Sequence, residues 1–61
     1  PTVNIRVTAK FAPEAFHIGV YQDLGSMRGN KGNTTTLFKV TPADTRKLSR
    51  KYWIERVDLA E

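Results

Sequence analysis

Strict alternation of apolar and polar side chains over residues 2–10 is the feature that most constrains the fold. Apolar side chains occupy every second position of this segment. They are Val3, Ile5, Val7 and Ala9. Because successive side chains of a β-strand point to opposite faces, a period of two predicts a strand. One face of this strand is expected to cover a core and the other to meet solvent, as is common in antiparallel sheets.

Residues 15–24 are predicted to form a second strand. Phe16, Ile18 and Val20 occupy alternate positions there, so they are expected to face inward. His17 would then lie on the opposite face, at the surface or in an interface. A third strand is predicted over residues 35–40, which are rich in β-branched and aromatic side chains.

Residues 25–34 are predicted to be a long loop between the second and third strands. Three glycines and two asparagines in this segment can adopt positive φ angles, which disfavours regular structure. Arg28 and Lys31 lie among these glycines, and exposed backbone amides beside two cations can hold a phosphate. The spacing does not match a Walker loop, because Gly32 is followed by Asn33. The alternative is a mobile hairpin tip or a segment that orders on contact with a partner.

A helix is predicted over residues 42–51, and its start is well marked. Thr41 suits the N-cap position, and Pro42 suits the first position of the helix. Asp44 adds a negative charge near the positive end of the helix dipole. A short C-terminal strand is predicted over residues 54–59.

The predicted helix has an apolar side and a basic side. Leu48 and Tyr52 are four residues apart, so they are expected to share the buried side. Four cations fall within an arc of about 140° on a helical projection. They are Arg46, Lys47, Arg50 and Lys51. This stripe is interpreted either as a surface for phosphates or carboxylates or as a solvated face. Trp53 projects onto the basic side and, with Met27 in the loop, is predicted to anchor an interface.

These segments predict a single α+β domain over residues 1–61, with a mainly antiparallel sheet, one helix and the order β-β-β-α-β. A chain of 61 residues has room for only one domain. With no cysteine and one histidine, it offers neither a disulfide nor a Cys/His zinc site. Pro1 is what remains when an initiator Met is removed before proline, so a complete small gene product is expected. Stability is expected to come from an efficient core or from contacts with other chains.

Charge and residue types favour a binding protein over an enzyme. Ten Lys and Arg residues against six Asp and Glu residues give a formal charge of +4, which suits an anionic partner or simply maintains solubility. Neither Ser26 nor Ser49 has a neighbouring base and orienting group that would make it a nucleophile. No catalytic residue, metal or cofactor is expected. No apolar run approaches the roughly 20 residues of a membrane span, so no membrane partner is expected.

Four segments carry a resemblance to a known group. They are residues 5–10, 18–19, 41–48 and 54–57. Their order is similar to that in small proteins of Mu-like prophages, the group that includes the FluMu N-terminal-type domain. The chain departs from that group where Phe16 and His17 replace an aromatic–arginine pair, and in its Gly/Asn loop. The resemblance implies a phage-encoded accessory protein of head or virion assembly, located in the virion or cytoplasm, with no catalytic residues.

Two functions are therefore expected as alternatives. The first is a structural or interaction protein, such as a head-assembly, minor capsid or decoration protein that binds copies of itself or capsid-like subunits. The second is a small basic nucleic-acid-binding protein that uses the cationic helix and the Gly/Asn loop. In either case the same cations are expected to contact the partner or its phosphates. They are Arg28, Lys31, Arg46, Lys47, Arg50 and Lys51.

Overall fold

The computed structural model describes residues 1–60 and contains one four-stranded antiparallel sheet with two helices. The elements are β1 (Val3–Ala9), α1 (Ala15–Leu24), β2 (Ser26–Lys31), β3 (Thr34–Val40), α2 (Pro42–Ser49) and β4 (Ile54–Leu59). The predicted α+β class and antiparallel sheet are confirmed. The predicted order with a single helix is wrong, because the second element is a helix and the predicted loop contains a strand.

The sheet has the order β2-β3-β1-β4, and every neighbouring pair is antiparallel. It follows that β1 and β2 run parallel with β3 between them, and that β3 and β4 run parallel with β1 between them. Each of these parallel pairs is connected through a helix. This βαββαβ arrangement is the split βαβ, or ferredoxin-like, topology.

The core lies between the helices and one face of the sheet, which we call the covered face. The alternation predicted for β1 is confirmed, since Ile5 and Val7 have no exposed surface. Across the ladder, Ile5 pairs with Leu37 of β3, which is also fully buried. Tyr21 from α1 and Leu48 from α2 join the same buried cluster. Both helices therefore contribute to one side of the sheet.

Residues 15–24 form a helix, so the predicted second strand is wrong. The segment also contains a helical set, His17, Val20, Tyr21 and Leu24, with the spacing i, i+3, i+4 and i+7. Tyr21 is the buried member of this set. Phe16, which was expected to face inward, is 71% exposed. Burial of the helical set decided the structure of this segment.

The predicted loop over residues 25–34 instead contains one strand and the turn of a β-hairpin. β2 pairs with β3 along its length, and a two-residue turn, Gly32–Asn33, connects them. Gly32 has a φ of +60°, at the first central position where a type II′ turn places glycine. The Asn30 side-chain amide donates to the carbonyl oxygens of Gly32 and Thr34, at 3.2 and 3.1 Å. These bonds close the turn.

The predicted N-cap at Thr41 and helix start at Pro42 are confirmed. The Asp44 backbone N–H donates to the Thr41 hydroxyl oxygen at 3.1 Å, which satisfies an amide that the helix leaves free. The helix ends at Ser49 rather than at residue 51. A helical projection does not apply to residues beyond Ser49. For this reason it assigned Tyr52 and Trp53 to the wrong sides. Tyr52, expected in the core, is 85% exposed, whereas Trp53 is only 7% exposed.

Candidate binding site on the open face of the sheet

The face of the sheet away from the helices carries the candidate site, and we call it the open face. Its members are identified by register, because residues paired across neighbouring strands point to the same side. From β1 and β4 they are Arg6, Thr8, Arg56 and Asp58. From β2 and β3 they are Ser26, Gly29, Lys31, Thr34, Thr36 and Phe38. The residues that alternate with them on β1 form the core, whereas the β1 positions on this face are polar.

A strip of threonine hydroxyls runs along the centre of the open face. Thr8 of β1 pairs with Thr34 of β3, and their hydroxyl oxygens are 3.3 Å apart. Thr36 lies two residues further along β3, opposite Arg6. All three threonines are half-buried. A hydroxyl can both donate and accept, so this strip offers hydrogen bonds to an anion or to a sugar.

Cations surround the hydroxyl strip on three of the four strands. Arg6 lies at the centre, Lys31 on β2 and Arg56 on β4, and all are exposed. Arg6 donates to the Leu59 carbonyl oxygen at the long distance of 3.5 Å, so its guanidinium keeps donors for a ligand. Arg56 Nε lies 2.9 Å from Asp58 Oδ2. Because this pair is exposed, it holds the arginine only weakly.

A fourth cation reaches the open face from an irregular position on β2. The pairing of β2 with β3 shifts between Met27 and Gly29, which leaves Arg28 as the extra residue of a bulge. The guanidinium carbon of Arg28 lies over the Phe38 ring, 5.3 Å from its centroid. With Asp58 as the one carboxylate among the register-defined members, the face carries a formal charge of +3.

A shallow depression occupies the β2 side of the open face. It has a volume of about 540 Å³. Its lining comes from Arg6, Gly29, Asn30, Lys31, Thr34 and Thr36. Gly29 contributes no side chain here, and a Cβ built on it would meet no atom within 4 Å. The depression therefore combines two cations, two hydroxyls and an unobstructed floor.

The cations predicted from the sequence fall into two separate groups. Arg28 and Lys31 lie on the open face at the β2 edge of the sheet. The cations predicted to lie on one helix are divided, because Arg46 and Lys47 lie on α2 whereas Arg50 is its C-cap and Lys51 follows it. α2 packs near β4, the opposite edge strand, from the covered side. Of these four cations only Lys51 is half-buried. Lys47 Nζ is 4.0 Å from Asp44 Oδ1. The structure does not bring the two groups into one site.

Of the two predicted interface anchors, Trp53 belongs to the core and Met27 packs against it. Trp53 is buried, with its ring centroid 6.0 Å from that of Tyr21 and 4.8 Å from that of His17. Met27 is half-buried and packs against the core cluster. The expectation that Trp53 projects from the basic side of a helix is wrong, because residue 53 lies after the helix.

Arg6, Arg56 and Phe38 were not singled out from the sequence. The alternation in β1 places Arg6 on the polar side of the strand, and this was the only indication in the sequence that Arg6 belongs to an exposed face. Its importance depends on neighbours from β3 and β4, which are far away in sequence. Phe38 becomes part of the candidate site because the Arg28 bulge places a guanidinium over its ring. That bulge depends on the β2–β3 pairing.

Tyr21 is a buried polar group beneath the covered face. Its hydroxyl has no partner with full hydrogen-bond geometry among the described residues. Burial raises the pKa of Tyr21 above the usual value, and the Thr35 hydroxyl offsets part of that rise. Thr35 Oγ1 itself accepts from the Asn30 amide at 3.1 Å. Tyr21 therefore affects stability rather than the open face.

Within residues 1–60 no group of three His, Cys, Asp or Glu side chains is placed to hold a metal ion. Neither helix of this described part has the length and apolar character that crossing a membrane requires. Comparison of the chain with protein-family models, curated proteins and solved structures finds no match.

Proposed function

We propose that the protein binds nucleic acid through the open face of its sheet. The observation that supports this most directly is the cluster of four cations around a strip of hydroxyls on a face that no helix covers. Lysine, arginine and threonine side chains are among the groups that contact phosphate and sugar oxygens in protein–nucleic acid complexes. A formal charge of +4 on the whole chain also favours association with a polyanion.

The distribution of the cations favours an extended anion over a small one. Lys31 lies on the β2 edge and Arg56 on the β4 edge, with two strands between them. At about 4.8 Å between neighbouring strands, these two positions are roughly 14 Å apart across the sheet. A single phosphate could contact both only if the two long side chains leaned towards each other over the strands between them. A nucleic acid strand lying across the sheet can contact both without this, and the central Arg6 would lie beneath it.

The cations of α2 form a separate surface in this proposal. They add to the positive potential that attracts a polyanion, and they make no contact with the strand on the open face. This changes the hypothesis drawn from the sequence, in which the helix and the Gly/Asn loop both contact the nucleic acid.

Fluorescence anisotropy with labelled oligonucleotides, measured at several salt concentrations, tests the proposal. We expect binding that weakens with salt, because phosphate contacts release counterions. The double variant Arg6→Gln/Lys31→Gln is expected to bind roughly tenfold more weakly and to lower the salt slope by about two. Its matched control, Arg46→Gln/Lys47→Gln, removes the same charge from α2 and should bind nearly as the original chain does.

A second pair of variants tests the location without removing a cation. Gly29→Glu places a carboxylate in the depression, where there is space for a side chain. Gly19→Glu adds the same charge to the exposed surface of α1, also without a clash. Only the first should abolish binding. Absence of binding at low salt, or a larger loss from the α2 variants, would contradict the proposal.

A protein-interaction role is the second candidate, and exposed apolar side chains favour it. Phe16 is 71%, Tyr52 85% and Leu59 65% exposed. Exposed apolar side chains mark an interaction site where they form a contiguous patch. Together with the resemblance to proteins of Mu-like prophages, they support a component of a virion or another protein assembly. Sedimentation over a range of concentrations tests this candidate. Self-association that Phe16→Ser and Tyr52→Ser abolish would support it, and a monomer at all concentrations would count against assembly with copies of itself.

A further inference from the structure

Arg28 and Phe38 form a pair that the binding of phosphate alone does not explain. Phe38 is the aromatic residue of the open face, and its ring lies beneath the Arg28 guanidinium carbon at 5.3 Å. This distance is within the range of a cation–π contact. Arg28 is nevertheless exposed, so its other side faces solvent. A cation that served only to contact phosphate would not need an aromatic support.

Irregularities in both strands place this pair on the open face. The β2–β3 register shifts at Arg28, and the β1–β3 register shifts again between Leu37 and Val40, next to Phe38. Lys39, within the second shift, has a φ of 61°, which is uncommon for a residue other than glycine. Bulges redirect side chains and are frequent beside functional sites. Two of them meet at this pair.

We propose that the bound nucleic acid is single-stranded and that one of its bases stacks on the Arg28 guanidinium, which Phe38 supports from below. A guanidinium is planar, and bases stack on it as they do on aromatic rings. This inference rests on the proposed function, since it requires a strand on the open face. Lys31 and Arg6, which line the neighbouring depression, then contact the phosphates beside the stacked base.

The shape of the open face is the reason for a single strand. Base stacking on a protein side chain requires a base that is not already stacked and paired within a duplex. Reading a paired base requires an element that enters a groove, such as a helix or a two-stranded ribbon. Both helices are on the covered side of the sheet, so the open face presents individual side chains, Arg28 and its neighbouring cations, and no helix that could enter a groove. An unpaired base can reach them and a paired base cannot.

The test compares strands of about 12 nucleotides, both RNA and DNA, with a duplex of the same sequence, over one series of salt concentrations that begins low. We expect the single strand of at least one sugar type to bind roughly tenfold more tightly than the duplex, and the tighter sugar type identifies the ligand. Arg28→Lys keeps the charge and loses the plane. It should therefore weaken single-strand binding by roughly tenfold while duplex binding and the salt slope stay unchanged.

Two further variants control for charge and folding. Arg46→Lys makes the same exchange on α2, outside the site, and should leave the ratio of single-strand to duplex affinity unchanged. Phe38→Leu removes the support of the guanidinium and should lower the same ratio; its circular dichroism spectrum shows whether it folds. If Phe38→Leu does not fold, the effect of Arg28→Lys on single-strand and duplex binding decides whether a base stacks on the guanidinium.

The failure of this inference is distinct from the failure of the proposed function. Equal binding of strand and duplex, with no effect of Arg28→Lys, would overturn base stacking and leave nucleic-acid binding in place. A loss of the same factor on strand and duplex would overturn it as well, because it would show a contribution that does not depend on an unpaired base. If no oligonucleotide binds at low salt, both fail.

Discussion

The two faces of the sheet are built from alternate residues of the same strands, and they differ sharply in chemistry. On the covered face Ile5, Val7 and Leu37 have no exposed surface. On the open face Arg6 and Thr36, their immediate neighbours in sequence, pair across β1 and β3. A shift of one residue in register would exchange the two sets of side chains. The pairing of β1 with β3 therefore determines the core and the candidate site together.

The largest expected difference between the faces is in stability. Leu37→Ala removes a fully buried side chain and should lower the free energy of unfolding by about 2–5 kcal/mol, because it leaves a cavity. Thr36→Ala, one residue away on the open face, should lower it by less than about 1 kcal/mol. Urea denaturation followed by Trp53 fluorescence measures both. Similar losses in the free energy of unfolding at the two positions would mean that the open face is also buried in a contact in solution.

Gly25 and Gly29, which flank residues 26–28, should also respond differently to substitution by alanine. A Cβ on Gly25 would lie 2.6 Å from Val40 Cγ2 and 2.8 Å from the Phe38 carbonyl oxygen. Gly25→Ala should therefore lower the free energy of unfolding by about 1–3 kcal/mol. Gly29→Ala meets no atom and should change it by less than about 1 kcal/mol, in the stabilising direction. Thermal unfolding distinguishes the two, and a stable Gly25→Ala variant would show that β3 is free to move away.

Tyr21 makes the stability of the covered face depend on alkaline pH. Its pKa is raised by burial, so the folded protein keeps the phenol proton at a pH where the unfolded chain, with a pKa of about 10, has released it. The stability that comes from the protonated Tyr21 phenol is fully present below about pH 10. It is lost as pH rises through the raised pKa of the folded state. Tyr21→Phe should weaken this alkaline loss and, by removing a hydroxyl without a full partner, stabilise the protein by about 1 kcal/mol at neutral pH.

Tyr52→Phe is the matched control for this experiment, because Tyr52 is 85% exposed and the change in composition is the same. Urea denaturation at neutral pH and again above pH 10 provides the comparison. If Tyr21→Phe loses stability at neutral pH, its hydroxyl makes a stronger bond to Thr35 than the geometry indicates.

The smallest expected change in stability comes from Asp58→Asn on the open face. Its pairing with Arg56 is exposed, so the free energy of unfolding should change by no more than about 0.5 kcal/mol. Nucleic-acid affinity should rise roughly threefold, because the variant removes a negative charge and releases Arg56 for a phosphate. Anisotropy titration measures this gain. Unchanged affinity would place the bound strand away from β4.

The elements with one unambiguous pattern were predictable from the sequence. β1 has no competing helical spacing, and Thr41 with Pro42 marks the start of α2. In residues 15–24 the alternate residues and the helical set overlap at Val20, and only the packing of Tyr21 against the sheet decides between them. β2 gives almost no signal, because Met27 is its one residue in contact with the core.

The candidate site was predictable only in part, for a related reason. Arg28 and Lys31 were identified as cations of a flexible loop, and the structure places them on an ordered edge strand. Arg6 and Arg56 lie 50 positions apart in sequence and come to the same face through the pairing of β1 with β4. No local pattern contains that information. A surface built across four strands becomes visible only when the strand order is known.

The central place of β1 has a consequence for how the chain acquires its structure. β1 pairs on one side with β3 and on the other with β4, and the Ala60 backbone N–H donates to the Asn4 carbonyl oxygen at 2.8 Å. β1 thus receives its second partner only when residues 54–60 are available to pair with it. Pairings between such distant segments slow folding, since the loop entropy is lost before the contacts form. We therefore expect folding to require the β4 segment and to occur on a timescale of milliseconds or longer.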